Sequence, residues 1–477
     1  MSKSKILKIV LWILIGVMVA VIVGFFLYVV LHGIKTSFNA EKAPANTVEP
    51  GTTEEIPTET PKPTEAATPT ETETATPDVT PTETATPTPE PVTFKDVDVV
   101  AVGDVIIYTS MWQSAKAYGK GEYDFSELTQ YVKDIAEGAD LAVFNFEDTC
   151  AGEEVGYSAY PSFNAPDNIL TTMRNSGFKV SLYANNHTYD KGHNGFMRTQ
   201  QVMKDNGLTT YGTRTSENEK SYGIYEVEGL KIGFLNYTYE SGSSQGDATK
   251  KYLNGIPVDA NDIPLIDSFH SSRLDSFYQE VSGRIADLRE GGADVIMFFI
   301  HWGEEYKENA NTEQRDIAQN LCNLGVNALI GMHPHVVQPV DTYVSYDGRN
   351  RMICYYSLGN FASAQNRTTF QENYDYAWLT ENELMAKLTV RKYSTGEALI
   401  VNADYEPLWS HRYSSNSRII TNIIPLRKAL ASDEAKEQYG LTNTSFGVTH
   451  ATAAKEYIDS QVASGIASYN AGIVLPR

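Results

Sequence analysis

Four of the nine histidines in this 477-residue chain, His187, His301, His333 and His335, stand at or just past the ends of short apolar runs, and acids or amides hold similar positions elsewhere. Residues 99–102 run into Gly103-Asp104, residues 141–144 into Asn145-Phe146-Glu147, and residues 180–183 toward Asn185-Asn186-His187. Residues 296–300 end in His301-Trp302-Gly303, and residues 328–330 in Gly331-Met332-His333-Pro334-His335. If such runs are strands of an open α/β sheet, their C-terminal ends share one rim, and ligands bind in the crevice outside it. Five separated segments then bring Asp104, Asn145, Glu147, Asn186 and four imidazoles to one place. Carboxylate, amide and imidazole donors suit divalent metals such as Mn, Fe or Zn, and the lack of nearby cysteine argues against a structural zinc site. The His333-Pro334-His335 step is the strongest single piece, because an H-x-H spacing can turn both rings toward one ion. His301 or Asp104 alone would read as a bonded strand end or a turn; the set as a whole points to a metal site.

The elements that must position these residues recur along residues 93–477. Apolar, β-rich runs fall at 96–102, 141–146, 179–183, 231–236, 295–300, 328–330, 352–356, 384–390 and 398–403. Helical periodicity falls between many of them, at 126–137, 194–206, 272–290 and 312–324, so the class is α/β with several β-α units. Past residue 410 the pattern weakens, which divides the region into a domain at 93–410 and a C-terminal helical extension at 411–477. Cys150, Cys322 and Cys354 are too few and too scattered for a disulfide framework and read as buried free thiols.

Charge and composition narrow the class further. The formal net charge is −22, of which −17 falls on residues 93–477, so the basic face that a nucleic-acid binder needs is absent. Residues 9–31 are 23 consecutive uncharged residues, about 34 Å of helix against a hydrocarbon core of about 30 Å. Lys3, Lys5 and Lys8 precede this run, so residues 1–8 are expected in the cytoplasm and everything after the span outside the cell, in a single-pass membrane protein. A cleaved signal peptide is the rival reading, but its apolar stretch is ordinarily shorter. Residues 36–92 hold 11 of the 20 prolines, and no aromatic residue occurs from 39 to 93. This is a Pro/Thr/Glu-rich stalk with nothing to form a core, able to reach roughly 180 Å if extended.

The ordered set GDV, NFE, NNHTYDKG, HWGEEY, GMHPHVVQ and YSLGNF resembles the CapA-type family of poly-γ-glutamate capsule synthesis proteins, within the metallophosphatase-like superfamily, over roughly residues 96–405. The resemblance implies a calcineurin-like sandwich of two mixed β-sheets flanked by helices. It implies Asp104, Glu147, Asn186, His301, His333 and His335 as ligands of one or two metal ions. It implies His187 as general acid or phosphate contact, with Asp190, Asn145, Trp302 and Asn360 shaping or polarising the pocket. The opening motif departs from the phosphatase Asp-x-His pattern, because Asp104-Val105-Ile106 has isoleucine at the second ligand position. Thr188 likewise follows His187 where phosphatases carry an acid, which leaves Asp190 to replace it.

Two functions of different class follow. The first is an extracytoplasmic metal-dependent hydrolase or transferase acting on an anionic surface polymer, poly-γ-glutamate, or its phosphorylated intermediates. The second is a non-catalytic anchor and export partner of other capsule-synthesis proteins, with a degenerate metal site. A wall-binding module with incidental histidines is a third and would show neither metal nor turnover. The 23-residue apolar run carries its own test. Protease added to wall-less cells should release a folded fragment by cutting the stalk, whereas spontaneous release of a mature form lacking residues 1–45 would show the run to be a cleaved signal.

Overall fold

The computed structural model describes residues 92–242, 247–369 and 375–475. The expected membrane span and stalk lie outside these residues; among the described residues no helix is long and apolar enough to cross a membrane.

Two mixed sheets dominate. The first contains β1 (Phe94–Val105), β2 (Leu141–Phe146), β3 (Val180–Leu182), β4 (Thr209–Tyr211), β14 (Asn360–Ala362), β15 (Asn382–Tyr393), β16 (Ala398–Ser415) and β17 (Arg418–Pro425), in the order β17-β16-β15-β1-β2-β3-β4 with β14 beside β1. The second contains β5 (Gly223–Val227), β6 (Leu230–Tyr239), β9 (Ser268–Phe269), β10 (Val295–His301), β11 (Ala328–Met332), β12 (Val340–Val344) and β13 (Arg351–Tyr355), in the order β12-β13-β11-β10-β6-β5 with β9 beside β6. A hairpin, β7 (Tyr252–Leu253) and β8 (Ile256–Pro257), stands apart. The strands that end at the candidate residues are parallel to their neighbours, β1-β2-β3 in one sheet and β6-β10-β11 in the other, which is why those ends meet at common rims.

The alternation of side chains along a strand assigns each residue to a layer. Val97, Val99 and Ala101 of β1 face a core shared with Val295, Met297 and Phe299 of β10, while Val100 and Val102 face helices on the outside. Those outer helices are α1 (Thr109–Tyr118), α2 (Asn168–Asn175) and α3 (Gly192–Asp205). On the far side Ile296, Phe298 and Ile300 pack against α4 (Leu274–Glu290) and α5 (Thr312–Asn323). A pile of rings ties the two sheets together: Tyr211 stacks on Phe234 at 5.0 Å, and Phe234 on Phe299 at 5.5 Å. α5 begins where Asn311 and Gln314 form a reciprocal capping box. The three cysteines are buried free thiols, as expected.

The C-terminal part differs from the expected helical extension. β16 runs through residue 410, and β17 adds another strand, so residues 411–425 belong to the first sheet. The sequence pattern weakened there because polar side chains are inside. Arg412, half-buried, donates to the Ala364 carbonyl at 3.0 Å and to Ser110 Oγ at 2.9 Å. The last helix, α6 (Gly447–Ala471), contributes Ala451, Ala454, Ile458, Val462 and Ile466 to the core between the sheets.

β1 delivers Asp104 through a close backbone approach. A Cβ at Gly103 would lie 1.9 Å from the Gly359 carbonyl oxygen, an atom that also accepts from Asp104 N. Gly103→Ala must therefore push two strands apart, and a loss of about 3 kcal/mol is expected from overpacking. Denaturant unfolding checks this; a variant with wild-type midpoint would mean that the strands separate without cost.

Candidate metal centre

Strand ends assemble the site. A register shift between Val102 and Asp104 re-aims the last residues of β1, and Asp104 then lies in register with Asn145 of β2 and Asn360 of β14. Asn145 Nδ2 donates to Asp104 Oδ1 at 2.8 Å, and the His333 amide reaches Asp104 Oδ2 at 3.2 Å. Glu147, one residue past β2, is fixed by its amide bond to the Val105 carbonyl at 3.1 Å. Asn185 Nδ2 donates to the Phe146 carbonyl at 2.7 Å, so the turn after β3 is pinned to the end of β2. From the second sheet come His301, last in β10, and the His333-Pro334-His335 loop after β11. His333 and His335 have φ of 99° and 58°, a left-handed region that costs residues other than glycine on the order of 1–3 kcal/mol.

Two groups of donors converge, Asp104–Glu147–His301 and Glu147–His333–His335, each with its ligand atoms within 4.8 Å of one another. Glu147 belongs to both. His301 Nε2 lies 3.3 Å from Glu147 Oε1, and His335 Nδ1 lies 3.3 Å from Asp104 Oδ2 and 4.0 Å from Glu147 Oε2. Yet neither Glu147 oxygen accepts a hydrogen bond, and His333 Nδ1 is buried without a partner. Buried polar atoms are normally satisfied, so these orphaned donors converging on one spot fit a divalent cation.

Electrostatics say the same. Burial pushes the Glu147 carboxyl well above its ordinary range, and the Asp104 and Glu305 charges push it further. Burial also raises Asp104, but hydrogen bonding and charge from His335, the His301 ring and the Asn145 amide outweigh it and hold Asp104 below its usual value. Burial lowers the His301 imidazole to about 3 and His333 well below its ordinary value, which favours the neutral rings that bind metal.

The remaining sequence candidates divide. Asn186 Oδ1 lies 2.8 Å from His301 Nε2, at the cluster. His187 Nε2 stands 3.9 Å from Glu147 Oε1, while its Nδ1 meets Asp190 Oδ2 at 2.8 Å. Asp190 Oδ2 also accepts the Phe163 amide at 2.7 Å, which fixes the carboxylate that orients the imidazole. Asn360 sits behind the cluster, donating to the His335 carbonyl at 3.4 Å and that of Thr380 at 3.1 Å. Trp302 is not brought to the site. Next to His301 on an extended chain, it points to the opposite side, where its indole stacks on Tyr356 at 6.0 Å and donates to the Tyr356 carbonyl at 2.9 Å. Ile106, at the position of the missing ligand, is buried, 1% exposed, and outside the apolar cluster that takes in its neighbours Val105 and Ile107.

Sequence reasoning missed several neighbours. Tyr239 packs on the His333 ring at 4.7 Å and lies parallel to His301 at 6.4 Å. It ends β6, and following the run at 231–236 to its true end would have found it. Phe163 meets His187 edge to face at 4.8 Å. Asn254, at the Asn-Gly turn of the β7–β8 hairpin, contacts the Pro161 carbonyl at 3.0 Å and His187 Nδ1 at 3.4 Å.

The architecture is thus a mixed α/β sandwich of two sheets flanked by helices, with a group of metal-ligand-type residues where the strand ends of both sheets meet. Residues 98–365 match the family model described as "Bacterial capsule synthesis protein PGA_cap", and the chain belongs to that family. It is 26% identical over 326 residues to the PGA biosynthesis protein CapA of Bacillus subtilis (strain 168), covering 66% of this chain and 74% of that relative. Over 277 residues it is 26% identical to the capsule biosynthesis protein CapA of Bacillus anthracis, covering 57% of this chain and 61% of the relative. Among solved structures, a hypothetical protein from Thermus thermophilus aligns over 65% of this chain and 98% of its own, at 14% identity and a TM-score of 0.35.

The shared position of Glu147 makes a quantitative expectation. His333→Ala and His335→Ala should each remove part of the metal bound by the purified protein after manganese loading, and Glu147→Ala should remove nearly all of it. Metal analysis by mass spectrometry decides, with circular dichroism to verify folding. Unchanged metal in all three variants would overturn the site.

Proposed function

We propose that this protein is a membrane-anchored, extracytoplasmic member of its family that cleaves or transfers a phosphoester or related bond during synthesis or export of a capsule polymer such as poly-γ-glutamate. The domain would follow a calcineurin-like metallophosphatase plan, held away from the membrane by the 36–92 stalk and the 9–31 helix. The observation that carries this reading is Glu147, shared by two ligand groups and lacking any hydrogen-bond partner, with the His187–Asp190 pair beside it.

One or two divalent ions of the Mn, Fe or Zn type, held by Asp104, Glu147, Asn186, His301, His333 and His335, would supply Lewis acidity and a reactive water near neutral pH. The chain's own groups do the rest. Asn145 and the His333 amide bond the two Asp104 oxygens and orient the carboxylate. Asp190 holds Nδ1 of His187 and leaves Nε2 directed toward Glu147, where it can give a proton to a leaving oxygen. Asp190 thus fills the orienting role for which Thr188 is unsuited. A non-catalytic anchoring role is the second reading, favoured by the buried Ile106, which leaves one metal position short of an imidazole.

A pair of substrates separates the readings. With manganese present, His187→Asn should slow hydrolysis of an alkyl phosphodiester by about 10²–10⁴-fold while retaining metal. An aryl ester with a leaving group of low pKa needs less protonation and should lose less. Equal losses on both substrates would remove His187 from the acid role, and absence of turnover with metal fully bound would favour the anchor.

A further inference from the structure

The β7–β8 hairpin belongs to neither large sheet, yet its tip lies beside the His187–Asp190 pair. The turn is Asn254-Gly255, with φ of 48° and 74°, the left-handed pair that a two-residue turn of type I′ needs and that Asn-Gly adopts most readily. Its root is fixed. Leu253 and Val258 are buried in the outer core with Ile266, and the Val258 amide donates to the Lys251 carbonyl at 2.9 Å. The buried Lys251 Nζ in turn donates to the Ile263 carbonyl at 2.7 Å and to that of Ile266.

At the tip, Asn254 Nδ2 donates to the Pro161 carbonyl at 3.0 Å and lies 3.5 Å from Asp190 Oδ1 and 3.4 Å from His187 Nδ1. Carbonyl and carboxylate oxygens only accept, so the amide must turn its nitrogen toward them. By the same rule His187 Nδ1 carries the proton that meets Asp190 Oδ2 at 2.8 Å, and the 3.4 Å approach of Asn254 to that nitrogen is packing. Oδ2 also takes the Phe163 amide at 2.7 Å, while Oδ1 faces Asn254.

The Pro161 bond acts on the same pair. Ser162 Oγ donates to the Asp190 carbonyl at 3.0 Å, and Phe163 both bonds the Asp190 carboxylate and packs its ring on His187 at 4.8 Å. One amide therefore touches the carboxylate directly and ties down the short segment that supports carboxylate and imidazole alike.

We propose that Asn254 is a positioning residue of the His187–Asp190 pair: carried by the hairpin, its amide holds Asp190 Oδ1 and residues 161–163, keeps the carboxylate from turning, and so leaves His187 Nε2 facing the centre. This rests on the reading of His187 as the acid, and adds the part of the fold that sets its aim.

Two variants of the full chain test it. Asn254→Gly keeps the left-handed turn and removes the amide; Asn254→Asp keeps the shape and sets a charge against Asp190. Proton NMR of the zinc-loaded protein follows the Nδ1 proton of His187, identified by its loss in His187→Asn. Its exchange with water should be slow in the wild type, about tenfold faster in Asn254→Gly and faster still in Asn254→Asp, with metal content and circular dichroism unchanged. With manganese and the alkyl phosphodiester, kcat should fall about tenfold in Asn254→Gly with KM little changed, the aryl ester should lose less, and the same change should cost nothing further in the His187→Asn background. Wild-type exchange in both variants, no slowly exchanging His187 proton in the wild type, or losses that multiply in the double variant would each overturn the proposal. A wild type without turnover would count against the catalytic reading alone, since the exchange rates still decide the role of Asn254.

Discussion

A carboxylate buried without a single hydrogen-bond donor is the constraint around which this fold is arranged. Glu147 has no solvent exposure and two unsatisfied oxygens, a state that costs several kcal/mol unless the charge is met by a cation or quenched by a proton. Without metal, burial and the Asp104 charge push its pKa well up and so favour the proton route. With a divalent ion between it and the imidazoles the same desolvation favours binding. Each strand end nearby keeps protein donors away from Glu147 while bringing lone pairs toward it. Asn145 commits its amide to Asp104, and Asn185 commits its own to the Phe146 carbonyl.

The left-handed backbone at His333 and His335 fits this arrangement. In the common β or α regions these side chains would follow the strand or turn away from it; at φ of 99° and 58° they stay at the cluster. The loop is over-determined by its surroundings: the His333 amide reaches Asp104, Asn360 holds the His335 carbonyl, and the Tyr306 amide bonds the Pro334 carbonyl at 2.8 Å. Strain persists where several contacts hold it, and here they come from both sheets.

Much of this was legible in the sequence because parallel, doubly buried strands are nearly all apolar, so the polar residue that ends each one stands out. Asp104, Glu147, His301, His333 and His335 announce themselves in that way. Tyr239 did not, because Tyr237 and Thr238 continue β6 with mixed character and blur its end. Trp302 was misjudged for the opposite reason: proximity in sequence to His301 suggested the pocket, while strand alternation sends it to the outer core. The region after residue 410 reads weakly because buried His411 and Asn422 and half-buried Arg412 interrupt its apolar pattern, and their partners are visible only in three dimensions.

The last helix has a mechanical meaning. Asn470 of α6 clips onto β16 like a neighbouring strand, its Oδ1 accepting from Ala403 N at 2.9 Å and its Nδ2 donating to the Ala403 carbonyl at 2.8 Å. On the other side Arg351 of β13 holds the Ser468 carbonyl at 2.8 Å, and a Cβ on Gly465 would come within 1.7 Å of the Val340 carbonyl oxygen. α6 is therefore a clasp between two plates, and the plates carry different halves of one ligand set: carboxylates on the first, imidazoles on the second. A cut that frees this helix would remove one bridge between the plates and leave the ring pile and the shared core to hold them. Such damage would be felt at the metal centre, where the two half-sites must stay in register.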